Sequence, residues 1–182
     1  MRLLKHFLLA LFGLFFLSST TCESDPISHR TLIIDNLITV ETQPTYTTND
    51  IVYVNSSFSR FLPEPGYNSL LDIYKTTGSN AYYFEVNIVK KTIYNTWISL
   101  PKSSFNVVKG QISSRGEATC VLNPITNHYE FRIGIPLLEA GEYELVITPH
   151  IQPDSFYSTI NKVVIDIQTT VNTGSIYNFT VN

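Results

Sequence analysis

The chain has 182 residues, 15% of them charged and 43% apolar, with a formal charge of −3. That composition excludes intrinsic disorder, a coiled coil and a collagen-like chain, and 12 basic against 15 acidic residues exclude a dedicated nucleic-acid binder. The two cysteines, Cys22 and Cys120, are too few for a disulfide-dense scaffold or a four-cysteine zinc site.

The first predicted element is a targeting segment. Arg2 and Lys5 precede an apolar run, Phe7–Leu17, which gives way to small polar residues, Ser18–Thr21, and then to Cys22. A basic start, an apolar middle and a small-residue end form the pattern of a secretory signal. At about 1.5 Å per residue the run covers only about half of a ~30 Å hydrocarbon core, too little for a transmembrane anchor. Its removal takes away Arg2 and Lys5 and no acidic residue, so the exported chain is more acidic than the whole. Such a chain offers no basic patch to nucleic acid or anionic lipid.

The block Leu17-Ser-Ser-Thr-Thr-Cys22 resembles the end of a bacterial lipoprotein signal, whose cysteine is acylated and becomes the first mature residue. It departs from the strict form at Ser19, where an aliphatic residue is preferred, and at Thr21, where Gly or Ala is. The following Glu23-Ser24-Asp25-Pro26 resembles the acidic-polar start of many Bacteroidota lipoproteins. The resemblance implies a diacylglycerol on Cys22, a membrane partner through that anchor, and a place in the cell envelope, at the outer membrane or cell surface. Two or more acyl chains hold a protein stably where one does not. Two other readings of Cys22 stand beside it: a disulfide to Cys120, which an exported chain permits, or a free thiol. The chain then divides into a signal (1–21), a lipidated polar tether (22–30) and a folded domain (31–182).

Within that domain apolar residues recur with period two. Tyr82, Phe84, Val86 and Ile88 share one face, opposite Glu85 and Asn87. The same alternation runs through Tyr129–Ile135, Tyr143–Ile147 and Val163–Ile167. Half-buried antiparallel strands read this way. Weaker strand candidates are Thr31–Val40, Ile51–Phe58, Leu70–Lys75, Ile93–Leu100, Phe105–Val108, Glu117–Leu122 and Ser175–Val181. Turn residues separate them: Thr48–Asp50, Pro63–Gly66, Thr77–Asn80, Asn123-Pro124 and Ala140-Gly141. A single helical turn is expected at Pro136–Ala140. Thr42–Asn49 is the most linker-like stretch, read as a surface loop within one domain. About ten short strands at this spacing predict an all-β protein, an antiparallel β-sandwich. Ala140-Gly-Glu-Tyr-Glu-Leu-Val-Ile147 resembles the strand of immunoglobulin-like sandwiches that opens with a tyrosine corner, and assigns that structural role to Tyr143. The chain lacks the cysteine pair of true immunoglobulins, and Trp97 is not placed as their core tryptophan.

The search for chemistry yields little. No Gly-x-Ser-x-Gly elbow is present, and Cys120 with His128 reads as a core thiol beside an exposed imidazole rather than a dyad. No metal-ligand spacing occurs; Glu139, Glu142 and Glu144 cluster, but Glu142 and Glu144 read as one solvated strand face. No catalytic residue, metal ligand or cofactor is therefore assigned. Tyr83, Tyr94 and Trp97 are candidates for stacking on sugars, although Tyr94 and Trp97 have opposite parity in a regular strand. Phe61–Tyr67, with Phe156 and Tyr157, is a candidate protein contact. Asn55-Ser-Ser57 and Asn178-Phe-Thr180 match the N-glycosylation acceptor. The expected function is a non-enzymatic envelope lipoprotein that binds or assembles, with a protein or glycan partner. The alternatives are a small envelope hydrolase assembled from separated strands, a carbohydrate-binding module and a secreted glycoprotein.

Overall fold

The computed structural model describes residues 26–153 and 162–182. The signal-like segment, Cys22, Phe156 and Tyr157 lie outside them. Strands β1 (Ser28–Ile33), β2 (Ile38–Glu41), β3 (Ile51–Ser59), β4 (Phe61–Leu62) and β5 (Leu71–Asp72) precede a short helix, α1 (Ile73–Thr77). Then come β6 (Ala81–Lys91), β7 (Trp97–Ser99), β8 (Asn106–Lys109), β9 (Gln111–Ile112) and β10 (Glu117–Asn123). The last five are β11 (His128–Pro136), β12 (Gly141–Ile147), β13 (His150–Pro153), β14 (Val163–Gln168) and β15 (Ile176–Val181).

The fold is all-β. One curled, sandwich-like sheet runs in the order β1-β14-β13-β6-β10-β11-β3-β2, with β12 and β15 branching from β6. The long strand β6 makes that branching possible. Its first half, Ala81–Glu85, pairs with β10, and its second half, Val86–Lys90, pairs with β12. β11 is shared in the same way: β3 runs along its whole length, while β10 and then β8 take its other edge. A register shift at Arg132/Ile133 accommodates β8, as an irregularity that bends a strand does.

Alternation decides what is inside. Tyr82, Phe84, Val86 and Ile88 of β6, Phe131, Ile133 and Ile135 of β11, and Leu145 and Ile147 of β12 are buried. Their neighbours in sequence face outward, as the period of a pleated strand demands. Phe58, Tyr82 and Tyr129 form an aromatic cluster, with centroids 5.2 Å apart for Phe58–Tyr129 and 4.9 Å for Tyr82–Tyr129. Cys120 is buried in the same core.

Several sequence expectations need correction. Leu70–Lys75 is not a strand: after two residues of β5 the chain turns into α1. Asp72 caps this helix, its carboxylate accepting from the Lys75 N–H at 3.0 Å, and Gly78 ends it at φ 74° with its N–H on the Tyr74 carbonyl. Pro136–Ala140 is not helical. The Leu137 N–H donates to Asp50 and its carbonyl accepts from Asn49, so a neighbouring loop takes the groups a helix would have used. Thr31–Val40 is split by a turn with Asn36 at φ 57°, and Ile93–Leu100 shrinks to β7. Ser28–Arg30, read as tether, are already strand. The sheet is also not wholly antiparallel: β1 runs parallel to β14, Ser28 opposite Val163 through Ile33 opposite Gln168. No hairpin joins these two strands, so nothing local fixes their direction. Thr42–Asn49 packs as a loop around Tyr46, which is buried, with Asn182 donating to its carbonyl.

Candidate functional site

The β6–β7 hairpin closes through Thr92 and Thr96. The Thr92 N–H donates to the Thr96 carbonyl at 2.8 Å and their hydroxyls lie 2.7 Å apart. Asn95 takes the left-handed conformation, φ 62°, which asparagine tolerates better than most residues. The tight turn pushes Ile93 and Tyr94 outward, 93% and 82% exposed, and the start of β7 adds Trp97 and Ile98 at 45% and 53%. The parity argument that separated Tyr94 from Trp97 fails here, because Tyr94 lies in the turn and strand alternation does not reach it.

Beside the hairpin lies a groove of about 600 Å³ between Lys90–Ile93, Ile98 and the Glu139–Glu142 segment. Lys90 pairs with Glu139, and Lys91 Nζ lies 2.7 Å from Glu142 Oε2. The hydrogen bond from Lys90 holds the Glu139 carboxyl below its usual value. Gly141, at φ +143°, leaves Lys90 room to cross: a Cβ there would meet Lys90 Cε at 3.0 Å. The Tyr143 hydroxyl donates to the Glu139 carbonyl at 2.7 Å, a tie from the start of β12 to the backbone just upstream. The ammonium of Lys91 sits 5.9 Å from the Trp97 ring centroid and competes with a sugar for that ring.

The other sequence candidates are dispersed. Tyr83 is half-buried in mid-sheet between Thr119 and Gln152, its hydroxyl 3.3 Å from Gln152 Oε1. It offers no open platform and lies on a different part of the sheet from Trp97. Phe61, Tyr67 and Leu70 are exposed, with the Arg60 guanidinium 4.8 Å from the Phe61 ring. Cys120 and His128 do not form a dyad. Burial pushes the Cys120 thiol up to about 12, and His128 Nδ1 lies 2.8 Å from the Thr126 carbonyl. His150 Nε2 approaches Asp166 Oδ1 at 3.7 Å, beyond hydrogen-bond distance. Among the described residues no group of three or more His, Cys, Asp or Glu is gathered tightly enough to hold a metal ion. Asn55 is engaged on both sides of its amide, by Glu41 and Arg132, while Asn178 is exposed on β15.

Sequence reasoning missed Ile93 and Ile98 and the lysine–glutamate pairs around them. Asn95 between two threonines was the available turn signal. The fold defines an all-β, sandwich-like protein. No protein-family model matches the chain, and no curated protein matches it.

Proposed function

We propose that the chain is a non-enzymatic binding module of the cell envelope, anchored by lipid on Cys22, which meets a protein partner through the end of the β6–β7 hairpin. The observation that carries this reading is the joint exposure of Ile93, Tyr94, Trp97 and Ile98 at one end of the domain. An apolar centre rimmed by charged pairs has the anatomy of a protein contact. Two of the four side chains are aliphatic, and Lys91 stands over the indole, which favours a protein over a glycan. The Tyr143 tie to Glu139 supports kinship with immunoglobulin-like sandwiches.

Two experiments test the reading. The mass of the N-terminal peptide from the native host should carry the acyl groups on Cys22, and Cys22→Ala should move the protein from the membrane fraction to the soluble one. An unmodified terminus or a Cys22–Cys120 bridge overturns the anchor. A photo-crosslinker at position 98 should trap a specific protein in the native host, and Ile93→Asp with Tyr94→Ser in the same chain should abolish capture while changing stability by no more than ~0.5 kcal/mol, as exposed positions allow. Glycan binding lost in Trp97→Ala, with no crosslinked protein, would support the carbohydrate-binding alternative instead.

A further inference from the structure

We propose that a second cleft, on the other side of β7, binds the oxyanion group of a small ligand, a carboxylate or a phosphate, between Lys102 and Arg115. The cleft has a volume of about 450 Å³ and is lined by Glu85, Asn87, Ser99, Lys102, Ser114 and Arg115 together with Val86, Leu100 and Pro101. That volume lies within the ~300–1,000 Å³ typical of small-molecule sites.

The charge pattern singles it out. Arg30, Arg60, Lys90, Lys91, Lys109 and Arg132 each pair with a carboxylate. Lys75, Lys102 and Arg115 are in no ion pair among the described residues, and Lys102 and Arg115 both line this cleft. Lys102 is held in place by neutral acceptors. Its Nζ donates to Asn87 Oδ1 at 2.7 Å, reaches the Leu100 carbonyl at 3.5 Å, and lies 5.4 Å from the Phe105 ring centroid. An ammonium has three N–H donors and no acceptor, so two neutral partners leave one donor open and no carboxylate in ion-pair contact. Partial burial pulls the Lys102 pKa down, as expected of a cation that lacks a counter-ion.

The backbone is shaped around this lysine. Gly116, at φ +95°, lies under its stem: a Cβ there would come 3.3 Å from Lys102 Cε and 2.5 Å from the Val86 carbonyl oxygen. The turn that carries Arg115 is fixed by the Gly116 N–H on the Ser113 carbonyl and by the Ser113 hydroxyl, which accepts from the N–H groups of Arg115 and Glu117. Ser99 and Ser114 add hydroxyls able to donate to an oxyanion.

Two carboxylates oppose it. Glu85 lines the cleft, and Glu117 stands directly across from Glu85 in the β6–β10 ladder. They make the site weak for a free anion, and they give the proposal a sign that can be tested.

The test titrates the purified protein with inorganic phosphate, and separately with acetate, at constant ionic strength, following the Lys102 and Arg115 side-chain resonances. Saturable shifts in the millimolar range are expected, with the stronger of the two titrants showing which oxyanion the site prefers. Lys102→Met should weaken binding by ~tenfold or more. Arg115→Gln should weaken it too, and its exposed position leaves folding intact. Glu85→Gln should tighten it by about threefold through removal of a like charge. The exposed Lys75, far from the cleft in sequence and absent from its lining, supplies the control: Lys75→Met should change nothing. Shifts that stay linear with both titrants, or that persist unchanged in Lys102→Met and Arg115→Gln, overturn the proposal.

Discussion

Tyr129→Ala is expected to lower the unfolding free energy by about 3–5 kcal/mol, the usual cost of emptying a large aromatic site. Domains of this kind have only about 5–15 kcal/mol in total, so one substitution removes a large share. Tyr129 is fully buried, stacks on Phe58 and meets Tyr82 edge-on. Phe58 lies directly opposite it across the β3–β11 ladder, so the ring also fixes register. Its hydroxyl does a second job, donating to the Ser79 carbonyl at 2.7 Å. The neighbouring Tyr82 hydroxyl lies 3.4 Å from Thr77 Oγ1. The two phenols thus tie the core to the turn that ends α1. Tyr129→Phe keeps the ring and orphans the Ser79 oxygen, and should cost ~1–3 kcal/mol. The exposed Tyr67→Ala should stay within ~0.5 kcal/mol. Chemical denaturation of the three variants measures all of this. A loss below ~1 kcal/mol for Tyr129→Ala would mean the site collapses and the cluster is not a support of the fold.

The same residues show what sequence can carry. Tyr82–Ile88, Tyr129–Ile135 and Tyr143–Ile147 were legible because each strand has one wet and one dry face, so period two is written into the residues themselves. The partners of those strands were not. β6 splits its pairing between β10 and β12, and β1 lies parallel to β14 at the far end of the chain. Such pairings are settled by the total surface buried, which no local pattern records. Helix α1 was misread because five residues leave no room for a 3.6-residue period. Its signals were chemical instead: Asp72 before it and Gly78 after it. Around the hairpin strand parity does not hold, because Thr92, Asn95 and Thr96 close a turn there.

The two clefts differ in legibility for a physical reason. Exposed side chains such as Ile93 and Tyr94 follow from a turn, and a turn has a sequence signature. Lys102 had none. It becomes a half-buried cation only because Asn87 on β6 and the glycine turn at Gly116 come to it from distant parts of the chain. In the folded molecule it stands against neutral acceptors alone, whereas the linear sequence shows a lysine in a polar loop.

Stability is expected to fall steeply above about pH 9. Burial pushes the Cys120 thiol up from 9.0 to about 12, and burial together with a hydrogen bond to Tyr177 pushes Tyr46 from 10.0 to about 12. Burial likewise raises Tyr82 and Tyr129. In the unfolded chain these groups ionise near their ordinary values, so at alkaline pH the unfolded state binds fewer protons than the native one. The sign follows: the stabilisation is whole below the unfolded values and is lost as pH rises towards the folded ones. Each group contributes a slope of up to ~1.4 kcal/mol per pH unit while pH lies between its two values. Cys120 acts first, because its unfolded value is the lowest. Cys120→Ala should therefore flatten the curve between about pH 9 and 10, and leave the steeper fall above that, which belongs to the tyrosines. Denaturation midpoints from neutral to strongly alkaline pH measure the curve. Phenolate absorbance followed in parallel should show Tyr46, Tyr82 and Tyr129 ionising only as the fold opens. A flat stability curve across this window, or full phenolate absorbance in a still-folded protein, would show that the core admits charge and that burial does not hold these groups neutral.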